Sequence, residues 1–154
     1  MLLQLVFFIN LFLYSIIVSQ SFMYMIALRN VQEQLDAASY IQLRKLIDQN
    51  FLRKFKPVMY AALVSGLVLI VLCFLDGSEF LRIASVIAYL ALLTDVALTV
   101  KGDLPINAII NSWSEENYPA DWCSYRSKWL QYFSGRQAAN ISGFVVLIAT
   151  AVFA

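Results

Sequence analysis

The chain has 154 residues, of which 61% are apolar and only 14% charged, with a formal net charge of +1. A soluble domain carries about 25% charged residues, so the composition points to an integral membrane protein, expected as a single membrane domain over 1–154. The small net charge leaves no basic field for nucleic acid, and the lack of any histidine removes the commonest metal ligand, haem ligand and general base.

The first apolar run covers 2–28. At about 27 residues it is long enough to cross a ~30 Å hydrocarbon core with some tilt. It has neither the basic leader nor the small-residue cleavage site of a signal peptide. Within it Asn10, Tyr14, Ser21 and Tyr24 fall inside about 80° of one another at 100° per residue, with Gln20 beside them. In lipid such a stripe turns inward, because an unsatisfied polar group facing hydrocarbon is costly. Together with Ser85, Tyr89, Asp95 and Thr99 of the third run, it would serve either helix-to-helix hydrogen bonds or the lining of a ligand cavity.

The segment 29–56 carries Arg29, Arg44, Lys45, Arg53, Lys54 and Lys56. Ser39 and Gln42 have capping-box spacing, and Leu43, Ile47 and Phe51 follow at helical intervals. A helix here would extend the second span or lie along the interface, as a solvated connector or as a partner-docking surface. The second span is expected over 57–75, entered through Pro57, whose missing N–H costs nothing at a helix start. Asp76-Gly77-Ser78 reads as a tight turn, and the third span as 80–100.

Asp95 is the one acid within a span. At mid-membrane a carboxylate costs roughly 2.5–3.5 kcal/mol on insertion scales, so it must be paired, hydrated or neutral. Arg136 is the partner expected, with Asn140 one turn on sharing the site. A structural pair between helices, a proton-handling or substrate-binding carboxylate, and a snorkelling acid are the alternatives.

The segment 101–136 holds all three tryptophans and two of the three prolines. Pro105 suits a first helical turn, and Ile106, Ile109, Ile110 and Trp113 form a stripe suited to lying in the membrane interface. Residues 115–119 break the pattern. Asp121 then serves as an N-cap for one long helix from about Trp122, tolerating Gly135, into the fourth span at 137–154. Lysine and arginine are concentrated in 29–56 and 101–136, so the positive-inside rule puts both segments in the cytoplasm and both termini outside. Cys73 and Cys123 fall at different depths, and no disulfide is expected.

Catalytic equipment is sparse. The sequence has no Ser-His-Asp set, metal cluster or phosphate-binding glycine loop; Glu115 and Glu116 are loop neighbours, and Met23, Met25 and Met59 read as packing. Pro105-Ile106-Asn107, then Trp113, Pro119, Asp121-Trp122, Arg126, Trp129 and Arg136, followed by a final apolar span, resembles the membrane domain-of-unknown-function family that includes the anthrone oxygenases. That resemblance implies a four-span bundle with its signature between the third and fourth spans. It also implies, for members with activity, oxidation of polycyclic anthrones by oxygen without metal or flavin. Many members carry a histidine four residues after the tryptophan; here Phe133 follows Trp129, so that base is missing.

The expected fold is therefore an all-α membrane protein, a four-transmembrane-helix bundle with amphipathic helices on the cytoplasmic side. The leading functional reading is a small membrane protein that binds a partner subunit, a second copy of itself or an apolar ligand, with neither cofactor nor metal. The alternative is a cofactor-independent oxygenase-like enzyme on a lipid-soluble aromatic substrate; a proton-coupled transporter would also use Asp95. Asp95, Tyr24, Gln20, Asn107, Arg126, Arg136 and Asn140 are the candidate site residues.

Overall fold

The computed structural model describes residues 1–153, the Leu52 side chain excepted; Ala154, the last residue of the expected fourth span, lies outside the described residues. Among the described residues there are helices and no strands. Four helical stretches are long and apolar enough to cross a membrane: Leu2–Gln34, Arg53–Asp76, Glu79–Ser112 and Trp122–Phe153.

Helix α1 (Leu2–Met23) passes through a wider, π-helical turn (Tyr24–Leu28) into the short α2 (Arg29–Gln34). The chain becomes extended at Leu35, and Asp36 then caps α3 by accepting the Ser39 N–H at 2.8 Å. The cap is therefore Asp36 rather than Ser39; Ser39 occupies the third position that an N-cap oxygen reaches. Hydrogen bonds from Ser39 hold the Asp36 carboxyl below its usual range.

Helix α3 runs unbroken for 40 residues, Ala37–Asp76, with Pro57 inside it. The expectation that Pro57 opens the second span is overturned. A proline there forfeits one backbone bond, but Tyr40 and Ile41, far upstream of it, are completely buried and anchor the first part of the helix. Forty residues make ~60 Å, twice the hydrocarbon thickness, so α3 is both span and projecting arm. It stops where Gly77 turns extended, its N–H reaching the Cys73 carbonyl at 2.9 Å. Ser78 caps the next helix through the Leu81 N–H, and Glu79 places negative charge at its positive end.

Helix α4 (Glu79–Leu98) continues through a second π-helical turn (Thr99–Asp103) into α5 (Leu104–Ser112). The separate interfacial helix expected from Pro105 is instead an extension of the third span. Its stripe packs on protein: Ile106 and Ile110 are buried, whereas Ile109 is exposed. An irregular stretch, 113–121, leads to α6, a single helix over Trp122–Phe153 that passes Gly135 without interruption.

Two buried clusters hold the bundle. One joins all four spans through Tyr14, Ile17, Ala62, Leu69, Ala88, Leu92 and Leu147. Gly143 of α6 is what allows it to close, because a Cβ there would lie 2.1 Å from the Tyr14 hydroxyl. The other cluster, toward the projecting end, gathers Tyr24, Tyr40, Ile106, Ile110, Trp129, Leu130 and Phe133. Cys73 is buried and Cys123 exposed, and both are free thiols.

Candidate functional site

Between the two clusters the most polar part of the interior is built around Arg136. Its Nε donates to Asp95 Oδ1 and its Nη1 to Asp103 Oδ2, both at 2.5 Å, with all three side chains buried. Asp95 thus meets the arginine that the sequence set opposite it, together with a second acid that sequence reading did not single out. In an uninterrupted α-helix, residues eight apart point about 80° away from one another. The π-helical turn between Asp95 and Asp103 rotates less per residue and brings both carboxylates to one guanidinium. A planar fork of N–H donors can serve two carboxylates at once, which a lysine could not do with the same geometry. Two anions share one cation, and Asp95 Oδ2 and Asp103 Oδ1 keep no hydrogen-bond partner.

A second buried arginine lies on α3. Arg44 is 4% exposed, and its Nη2 donates to Asn107 Oδ1 at 2.8 Å. Its guanidinium lies 3.8 Å from the centre of the Trp129 ring. Among the described residues no carboxylate lies within ion-pairing distance of it. The nearest acid along the helix, Asp48, is engaged by Asn107 Nδ2 at 2.9 Å and Asn111 Nδ2 at 2.8 Å. Burial lowers the Arg44 pKa from its ordinary value, and the neighbouring Tyr40 hydroxyl is pushed up to about 12 for the same reason.

These groups surround a cavity of about 400 Å³. Its polar lining comes from Gln20, Tyr24, Arg44, Asp48, Lys56, Thr99, Asp103, Asn107 and Arg136; its apolar walls include Phe51, Phe55, Met59, Val96, Trp129 and Phe133. The rings of Trp129 and Phe133 stack at 4.9 Å, and Tyr24 leans on Phe133 at 4.4 Å, its hydroxyl donating to Gln32 Oε1. Both π-helical turns contribute wall residues, Tyr24 and Leu28 from one, Thr99 and Asp103 from the other. Such turns displace a helix locally and recur at functional sites.

The expected site residues separate into three groups. Tyr24, Gln20, Asn107 and Arg136 line the cavity, and Asp95 stands behind Arg136 without reaching it. Asn140 is buried one turn from Arg136, yet its Oδ1 has no partner and it shares no hydrogen bond with the two acids. Arg126 is not at the site. Its Nη1 donates to the carbonyls of Gln32 at 3.1 Å and Leu35 at 3.0 Å, closing the end of α2, and its guanidinium lies over Trp122.

Of the remaining signature positions, Trp129 forms a cavity wall, whereas the others form the outer layer. Trp113 sits edge-on to Tyr125 while its carbonyl accepts from Lys45; Pro119 offers its carbonyl to Trp122 N–H, and Pro105 stands at the start of α5. The polar stripe of the first span divides in the same way. Asn10 donates to Ala62 O and Ser65 Oγ, and Tyr14 to Ala88 O, tying helices together; Gln20 and Tyr24 face the cavity.

Arg44, Asp48 and Asp103 are the site residues that the sequence did not disclose. Arg44 is one of six basic residues in 29–56 and carries no mark separating it from those that set topology. Asp103 is out of phase with Asp95 unless the intervening turn is known to be π-helical. Comparison with protein-family models, curated proteins and solved structures finds no match to this chain.

Proposed function

We propose that this is a multi-pass membrane protein whose bundle holds a small apolar or aromatic molecule between α3, α5 and α6. The observation that carries the reading is the cavity: largely apolar walls with a few convergent polar groups are what a ligand site in a helical bundle requires. The outward residues, Phe8, Phe12, Val64 and Leu67 among them, are exposed apolar side chains such as lipid covers. They give no reason to invoke a partner subunit. Lysine and arginine bias places the Arg44 end in the cytoplasm and both termini outside.

Filling the cavity tests the proposal. Val96 lines it, whereas Leu67 is 53% exposed on the outer face of α3. In lipid nanodiscs, energy transfer from tryptophan to pyrene should fall several-fold on Val96→Phe and remain unchanged on Leu67→Phe. Equal transfer in both variants and in the unmodified protein would remove the cavity from the account.

A second reading is supported by Asp103, whose unpartnered Oδ1 belongs to a residue lining an aromatic-walled space. In an enzyme resembling the anthrone oxygenases, this carboxylate would take the acidic proton of an anthrone. Dioxygen as co-substrate would then oxidise the resulting carbanion. Phe133, at the position where many members of that family carry histidine, also lines the cavity. Anthrone-dependent oxygen uptake that is lost in Asp103→Asn would support this reading, and uptake no faster than in protein-free nanodiscs would refute it.

A further inference from the structure

The charge around the cavity is distributed unevenly, and this bears on the head group of its occupant. Arg136 is already ion-paired with two acids, one more than its charge balances, and both Asp48 oxygens accept amide N–H groups. Arg44 has only the neutral Asn107 as a hydrogen-bond acceptor, with its Nε unpartnered and the side chain buried. Along the same helix Arg53, Lys54 and Lys56 are exposed, and the sequence holds no acid between Asp48 and Asp76 to offset them. None of the three forms an ion pair among the described residues. Lys56 lies at the cavity wall, 5.8 Å from the Tyr60 ring.

Position along α3 sets the polarity of the space. Arg44 is fifteen residues before Met59, about 22 Å along the axis, with Phe51 and Phe55 between them on the cavity wall. A buried cation therefore stands at the projecting end, and apolar side chains lead from it into the spanning part of the bundle. We infer that the cavity takes an anionic amphiphile, its carboxylate or phosphate head on Arg44 and its apolar body along Phe51, Phe55 and Met59. This rests on the ligand-binding reading above and adds the charge and direction of the ligand. A hydrogen bond to a charged head replaces the one that Arg44 donates to the neutral Asn107 and offsets the desolvation that Arg44 otherwise bears. The exposed Arg53, Lys54 and Lys56, the last on the cavity wall, raise the local concentration of anions along this helix.

The test uses the full chain in phosphatidylcholine nanodiscs and two matched probes, pyrenebutyrate and the uncharged pyrenebutanol, each referred to its transfer signal in protein-free discs. The inference expects the carboxylate to bind at least roughly tenfold more tightly than the alcohol, a difference of about 1.4 kcal/mol. Arg44→Gln should abolish that preference while the alcohol still binds, which also reports that the variant is folded. Lys56→Gln, a change at an exposed position, should reduce the carboxylate association rate and its salt dependence.

Equal affinity of the unmodified protein for both probes would overturn the anionic head group and leave the cavity reading standing. Binding of neither probe would overturn both. If Arg44→Gln does not fold, the probe pair on unmodified protein and the Lys56→Gln rate decide the matter, and a carboxylate rate insensitive to Lys56 and to salt counts against the inference. Phosphatidylglycerol added to the discs identifies the source of the head group. Displacement of pyrenebutyrate beyond that seen with Arg44→Gln indicates a membrane lipid, and no extra displacement indicates a free amphiphile; either outcome supports the anionic seat.

Discussion

Arg136 holds two carboxylates, and the arithmetic of that triad orders the effects of changing its members. Removing Asp103 leaves a one-to-one pair between Arg136 and Asp95, and removing Asp95 leaves the other pair. Removing Arg136 leaves two buried anions with no cation, the costliest of the three states, since an uncompensated buried charge costs about 3–5 kcal/mol. Arg136→Gln should therefore lower the thermal midpoint in detergent well below that of Asp95→Asn or Asp103→Asn. Equal losses would mean that the triad does not behave as two anions on one cation. Arg126 differs in kind, because it binds backbone carbonyls at the end of α2. Arg126→Leu should destabilise the protein and speed amide exchange in 29–35, while pyrene binding by the folded fraction stays unchanged; a selective loss of binding would return Arg126 to the site. At Asp36 the carboxyl is held below its usual range by the helix start. A lowered folded-state pKa means that its contribution is complete above the ordinary aspartate range and is lost as pH falls through the folded value. Protection of the amides at 37–40, relative to their intrinsic exchange at each pH, should accordingly fall on acidification in the unmodified protein and be low at every pH in Asp36→Ala.

Helix contacts show which features sequence periodicity could carry. Gly143→Ala should cost about 1–3 kcal/mol through overpacking, because its Cβ would meet the Tyr14 hydroxyl and ring and lie 2.9 Å from the Ala91 Cβ. Tyr14→Phe should recover part of that loss, since the hydroxyl is the nearest obstacle; no recovery would place the strain at Ala91. The spans, the turn at Gly77 and the single helix from Trp122 were legible, because long apolar runs, the Asp76-Gly77-Ser78 turn sequence and the spacing of Trp122, Arg126, Trp129 and Phe133 are local signals. The continuity of α3 through Pro57 was legible only as one of two alternatives, an extension of the second span or an interfacial helix, and that of the third span through Pro105 was not. In each case tertiary burial, of Tyr40 and Ile41 in one and of Ile106 and Ile110 in the other, outweighs a local helix-breaking preference. The candidate site was half legible for the same reason. Asp95 and Arg136 betray themselves as charges in or beside apolar runs, whereas Asp103 depends on a π-helical turn and Arg44 on a packing arrangement that no local pattern encodes.

As a whole the molecule is a bundle whose helices are longer than the bilayer is thick. The tightly closed cluster around Tyr14 seals one part, and the layer formed by α2, the start of α3, α5 and the start of α6 covers the other, with the cavity between them. Sidedness follows from the same division. Cys123 is exposed on the projecting layer and Cys73 is buried in the bundle, so a membrane-impermeant maleimide should leave intact cells unlabelled and react with Cys123 only after permeabilisation. Labelling of intact cells would invert the topology. The claim on which the rest depends is that the space beside Arg136 and Trp129 is occupied by a ligand, and native mass spectrometry of protein released from nanodiscs tests it most directly. The account predicts a discrete small-molecule mass adduct that survives mild activation and is lost in Val96→Phe but kept in Leu67→Phe; spectra showing the same bare protein, or the same adduct, in all three would contradict it.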